Sequence, residues 1–413
     1  MPHQNRFRHQ PYAAWKIVPI TTSVVSVRPE QTADIDVGQT LRSLRFGHVI
    51  LVHGTFVGSD PFGLAQKLDE FADSVPSMWR PLVKTIAMES WGRVLRSVNQ
   101  KFGDRVIGET GSFRDDYLEE LRSLLRTDEI KVDRFDWSSG NDHVARSEAA
   151  VMLFNRLVDL PSDAARDQIL LWGHSHAGNV FALLTNLLAN DRASVAAFFE
   201  AASPLIERRE EWQKARDRLA ASASPHPLAK RLCLVTFGTP VRYGWDKDGY
   251  RRLLHIVHHR PTNPAGEWLA KPALPQVIDE ILAAKHGDWV QSLGIAGTDL
   301  TPVDRATREV HRKLGELLES GLVEPEITSS SVILEHLPQS VRTRIQTQLK
   351  DFLVLLERWN CGPRVHSDGN AAWLLDYGEE EKAMFGHGAY TKRSWLPFHA
   401  TRIADWLRHE LES

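Results

Sequence analysis

The chain of 413 residues is 42% hydrophobic and 25% charged, an ordinary globular balance that excludes wholesale disorder, collagen-like repeats and coiled-coil rods. On a soft prior of ~150 residues per domain, the length allows two or three domains, or one large α/β domain with insertions. Fifty Lys and Arg against 53 Asp and Glu give a formal net charge of −3 with no block of like charge, so nucleic acid has no electrostatic footprint and a ligand is to be sought in a pocket.

The first ten residues are polar and the next segment is interrupted by Lys16 and Pro19, so no secretory h-region can be drawn. Nowhere do ~18 apolar residues run together, and a soluble, cytoplasmic protein without an integral membrane segment is expected. Residues 15–27 read as one or two edge strands. Residues 48–53, His-Val-Ile-Leu-Val-His, show no polar alternation, as expected of a strand covered by helices on both faces. A long insertion, 58–126, holds Trp79 and Trp91 and ends in a helical pattern. A strand over 131–137 leads to Asn141 and Asp142, either a pocket wall or caps for a helix over 145–157. Strand 168–174 meets a helical run at 181–188. A charged insertion, 197–230, contains Trp212 and offers a partner surface. Further strands are read at 231–237, 253–259 and 372–377, with a helical insertion before Lys285, another insertion over 301–359 holding a helix at 341–358, and a closing helix opened by Pro397. Trp79, Trp91, Trp212 and Trp289 are either core or contacts for an apolar chain.

Strands alternating with helices build a doubly wound, mostly parallel α/β sheet with helical insertions, read as a single domain over 1–413. The two cysteines do not make a disulfide framework or thiolate metal site, because Cys233 lies in the apolar strand run and Cys361 stands far from it. His255, His258 and His259 do not make a metal site either: on a strand, His255 and His259 share a face but stand ~13 Å apart. No phosphate-binding glycine motif is present. Neither metal nor organic cofactor is expected.

The sharpest feature is Gly173-His174-Ser175-His176-Ala177-Gly178 between a strand and a helix. A serine at such an apex is lifted above the sheet, and small residues two before and two or three after it let helix and strand approach closely. The strand over 48–53 supplies a second piece, His53-Gly54-Thr55-Phe56. Backbone N–H groups of His176 and of Thr55 or Phe56 would form an oxyanion hole, aided by the dipole of the helix that begins near His176.

With Thr236-Phe237-Gly238-Thr239-Pro240, these runs resemble the α/β-hydrolase superfamily, specifically its lipase- and carboxylesterase-like members. The resemblance spans about residues 48–407 and implies a triad in the order Ser, acid, His and hydrolysis of an ester or related bond.

Reactive groups gather at the carboxyl ends of parallel strands. That rule selects His387, in the glycine-flanked loop after the last strand, as general base, with His399 in the following helix as runner-up. His366 precedes that strand, roughly 20 Å from the working edge, and is structural. The acid is Asp288, in His286-Gly287-Asp288-Trp289, which resembles the acid loop of lipase-like enzymes; Asp246 and Asp299 are the alternatives. His174 and His176 are read as pocket wall. The expected activity is cleavage of a small-molecule carboxylic ester with an apolar portion, through Ser175, His387 and Asp288 and an acyl-enzyme. Acyl transfer or amide cleavage on the same triad, or a non-catalytic binding domain, are the alternatives.

Overall fold

The computed structural model describes residues 6–8, 21–26, 30, 32, 34–55, 113–161, 163, 165–260, 278–296, 299, 301–302, 304–319, 364–366 and 368–412. The sequence readings at Phe56, Trp79, Trp91, Cys361 and the helix over 341–358 lie outside the described residues.

Seven strands, β1 Thr21–Ser26, β2 Phe46–Val52, β3 Lys131–Phe135, β4 Gln168–His174, β5 Leu232–Phe237, β6 Arg252–His258 and β7 Ala371–Asp376, form one sheet in the order β1-β7-β6-β5-β4-β2-β3. Every neighbouring pair is parallel. Among the described residues, the α-helices of seven residues or more are α1 Val37–Ser43, α2 Asp115–Leu125, α3 His143–Val158, α4 Ala177–Ala189, α5 Arg192–Ala201, α6 Glu210–Ala221, α7 Trp289–Ala296, α8 Arg305–Leu318 and α9 Leu396–Glu412.

Uninterrupted apolar runs in the central strands follow from helices on both sides. Ile50, Val52, Ile169, Leu171, Leu232 and Leu234 point into one core, with α3 to α6 and α8. Their alternates, Val49, Leu51, Leu170, Trp172, Cys233 and Val235, point into the other, with α1, α2 and α9. Fully burying each such aliphatic side chain stabilises the fold by about 1.5–3 kcal/mol, so the sheet carries the hydrophobic stabilisation. Helix α4 is buried along its whole length, which its sequence Ala-Gly-Asn-Val-Phe-Ala-Leu-Leu permits. Trp212 is wholly buried against Phe198 and Phe199, so the charged insertion anchors into the core by its apolar stripe.

Strand β3 ends two residues before the sequence suggests, because Trp137 turns to donate its indole N–H to the His53 carbonyl at 2.9 Å. Asp142 caps α3 by accepting from the Ala145 N–H, while Asn141 accepts from Arg146 instead. The thiol of Cys233 is buried in β5 and pushed up to about 12 by that burial.

Strand β2 lies between β3 and β4, and α2, which precedes β3, packs on the opposite face of the sheet from α4, which follows β4. The adjacent carboxyl ends of β2 and β4 are thus a topological switch point, the place where doubly wound folds hold ligands. Residues 53–55 and Ser175 lie there. Among the described residues no helix is long and apolar enough to cross a membrane.

Candidate active site

Ser175 is the first of the two residues, Ser175 and His176, that turn between β4 and α4, and its φ of 57° is a left-handed conformation uncommon for a non-glycine residue. The bend is held from several sides. Its N–H donates to the Phe237 carbonyl at 2.8 Å, and its own carbonyl accepts the Thr239 hydroxyl at 2.9 Å and the Gly178 N–H at 3.1 Å. Thr239 fills the space beside Gly178, where a β-carbon would fall 2.1 Å from its hydroxyl. The small residues of the elbow therefore serve the approach of the loop after β5, as well as helix against strand.

The loop after β2 closes over the serine. A β-carbon on Gly54 would come within 2.6 Å of Ser175 Cβ and 3.3 Å of its Oγ, so only glycine allows this approach. His53 Nδ1 donates to the Gly54 carbonyl at 2.9 Å, and its Nε2 accepts the Trp137 N–H at 3.4 Å. Because the carbonyl and N–H of a trans peptide point opposite ways, pinning the Gly54 carbonyl towards His53 turns the Thr55 N–H away from it. His176 is the N-cap of α4, at the end where N–H groups have no intrahelical acceptor and carry the positive end of the helix dipole.

Asp288 and His387 meet at the ends of β6 and β7. Asp288 Oδ2 lies 2.7 Å from His387 Nδ1, and the pair is buried, at 0% and 1% exposure. A carboxylate can only accept, so Nδ1 carries a proton, and in the neutral imidazole Nε2 is the acceptor nitrogen. Burial alone would raise the Asp288 carboxyl, but His387, the Gln291 N–H and Arg364 hold it below the ordinary carboxylate value. Gly238, with φ of 58°, makes room for that carboxylate; a β-carbon there would meet Oδ2 at 2.7 Å. His387 follows three residues with positive φ, Met384, Phe385 and Gly386, a strained turn that His258 braces by donating Nδ1–H to the Gly386 carbonyl at 2.8 Å.

The imidazole of His387 lies 4.4 Å, centroid to centroid, from that of His174, the residue before Ser175. His174 Nε2 donates to the His387 carbonyl at 3.3 Å. Among the described residues His387 Nε2 is buried and makes no hydrogen bond, to Ser175 Oγ or to any other group. His176, beside the serine, is kept neutral first by burial and then by Arg146, and its Nδ1 accepts from Asn179 at 3.2 Å.

The alternatives for acid and base are committed elsewhere. Asp246 accepts from Arg6 at 3.0 Å, and His399 Nε2 accepts the Tyr377 hydroxyl at 2.8 Å inside α9. Asp299 binds two arginines, Arg146 at 2.7 Å and Arg242 at 2.8 Å. His255 pairs with Thr236 and His366 with Trp245, within the sheet and its lower loops.

Sequence reasoning missed three residues around the acid. Gln291 donates its N–H to Asp288 Oδ1 at 2.8 Å and its amide to the carbonyls of Thr239 and Arg364, both at 3.0 Å. Wholly buried Arg364 donates to the carbonyls of His258, His286 and Asp288 at 2.9, 3.0 and 3.2 Å. Tyr390 donates its hydroxyl to Asp288 Oδ2 at 3.0 Å. The spacing of Tyr390 three residues beyond His387 was a usable signal, whereas nothing local marks Arg364.

His143, Asp299 and Glu319 bring ligand atoms within 4.8 Å of one another. Arg146 and Arg242 already neutralise those carboxylates, so a divalent cation would have to displace two guanidiniums. The cluster is an ion-pair lock between α3, the loop after β5 and α8. Asp299→Ala leaves both arginines short of a buried partner and is expected to lower stability by about 3–5 kcal/mol in chemical denaturation. A loss under about 1 kcal/mol would show that the lock contributes little.

Compared with family models, curated proteins and solved structures, the chain matches none.

Proposed function

We propose that the chain is a serine hydrolase of α/β-hydrolase type that cleaves a carboxylic ester with an apolar portion. The observation that carries this reading is the buried Asp288–His387 pair, with its proton fixed on Nδ1, at the same sheet edge as a serine in a strained bend. His387 Nε2 then takes the Ser175 proton as Oγ attacks the ester carbonyl, and Asp288 stabilises the imidazolium that forms. The oxyanion rests on the N–H groups of His176 and Thr55. Imidazolium gives its proton to the departing alcohol, and water, deprotonated by the same nitrogen, cleaves the acyl-enzyme. Catalytic hydrogen bonds are often long in the free enzyme and tighten when substrate binds, which is the expectation for Nε2 and Oγ. His174, packed at a tilt against His387 and hydrogen-bonded to its carbonyl, limits how far the imidazole can swing.

Reaction with a fluorophosphonate, followed by peptide mapping, tests this. The adduct is expected on Ser175 and is lost in Ser175→Ala; a folded wild-type chain that takes no adduct there is not a serine hydrolase.

A further inference from the structure

We infer that Tyr390 is a positioning residue of this site, whose hydroxyl sets how much negative charge Asp288 presents to His387. The inference rests on the hydrolase reading above. Its geometry leaves the hydroxyl one role. The His258 N–H, which can only donate, approaches Tyr390 Oη at 2.6 Å, so the phenol accepts there and its single proton goes to Asp288 Oδ2 at 3.0 Å. Oδ2 is therefore shared: it receives His387 Nδ1–H and Tyr390 O–H together, while Oδ1 receives the Gln291 N–H.

Space for the ring is built into the fold. A β-carbon on Gly238 would strike Tyr390 Cε2 at 2.5 Å, so the positive-φ glycine after β5 admits the phenol as well as the carboxylate. Burial first, and the charge of Asp288 after it, hold the phenol well above its ordinary value of 10.0, so it stays a donor. Two donors on one oxygen compete for the same electron density. Each weakens the carboxylate's hold on the other, and Tyr390 thereby limits how strongly Asp288 stabilises the imidazolium. The other groups facing the pair are His174 against the imidazole, His176 next to Ser175, and Arg364 and His258 behind Asp288.

The test is the pH dependence of the fluorophosphonate inactivation rate, in the full chain, for wild type, Tyr390→Phe and a variant with 3-fluorotyrosine at 390. Removing the hydroxyl is expected to move the acidic limb up by about one pH unit, the scale of one charge-assisted hydrogen bond. Fluorine, which makes the phenol a stronger donor, is expected to move it down. A purely structural tyrosine would lower the rate at every pH and leave the limb in place, which would overturn the inference. Should Tyr390→Phe not fold, the direction of the 3-fluorotyrosine shift decides. A wild-type chain that does not react at all overturns the hydrolase reading, whereas reaction with unmoved limbs overturns only the role of Tyr390.

Discussion

Asp288→Asn is expected to lower kcat/KM on a short-chain chromogenic ester by about 10^4 in a chain that still folds, because it reverses one proton. In the native site the Gln291 N–H needs an acceptor at the Oδ1 position, so the new amide places its oxygen there and its NH2 where Oδ2 was. That NH2 faces His387 Nδ1 and donates to it. The imidazole proton must then reside on Nε2, the nitrogen that has to accept from Ser175, and the base is lost through the wrong tautomer. Tyr390 loses its acceptor in the same variant, and the unpaired buried hydroxyl costs about 1–3 kcal/mol of stability. Fluorophosphonate labelling of Ser175 should slow in parallel with ester hydrolysis. Activity within tenfold of wild type would mean that Asp288 does not hold the tautomer, and that the acid assignment is wrong.

The sheet and the elbow were legible in the sequence because both are local. Strand 168–174 is read to the residue, and 48–53 and 372–377 to within two, since an apolar run bounded by Gly, Pro or charged residues marks a doubly covered strand wherever it falls. The bend at Ser175 is likewise set by neighbours: Gly173 before it and Ala177 and Gly178 after it. Pairing across the fold is not local. Strand polarity sets His366 aside and the flanking glycines favour His387 over His399, but Asp288 was one of three carboxylates until its neighbour was seen, because the chain between β6 and Asp288 breaks the simple strand-then-acid spacing. Arg364 lies before β7, on the side that the strand-polarity rule assigns to structure, yet it reaches the carbonyl of Asp288 at 3.2 Å. That placement of its guanidinium, against the carbonyls of His258 and His286 as well, is one that periodicity does not encode. The buried Arg146, Arg242 and Asp299 were hidden for a similar reason. Each looks like a surface charge in sequence, and only their mutual neutralisation permits burial.

Acidification below neutral pH is expected to destabilise the chain before most of its carboxylates titrate, because so many of its histidines are buried in the neutral form. Burial is the leading cause in each case: His143, His255, His259 and His399 are pushed down to about 3, His258 to about 4, and His176 well below 6.5. Since the folded values lie below the unfolded value of 6.5, the unfolded chain binds more protons as pH falls. Stability from these groups is fully present above pH 6.5 and is lost as pH drops towards the folded values. One group runs the other way. Burial raises Asp368 to about 6, so between there and its ordinary 3.8 the folded chain holds an extra proton. Near pH 5 the balance is about five protons taken up on unfolding, a slope of about 7 kcal/mol per pH unit. The loss builds up as pH falls below 6.5 and is of the same order as a typical total stability of about 5–15 kcal/mol, so the chain is expected to be far less stable at pH 5 than at pH 8. Denaturant titrations at intervals from pH 8 to 5 measure the slope directly. A midpoint that does not move over that range would mean that these imidazoles reach water in the folded chain. One of these histidines also braces the loop that carries His387: His258 holds the Gly386 carbonyl, and its N–H fixes Tyr390. Protonating His258 breaks no donor bond at Nδ1 but places a charge beside Arg364, so the acid loop should loosen as an early step of acid unfolding.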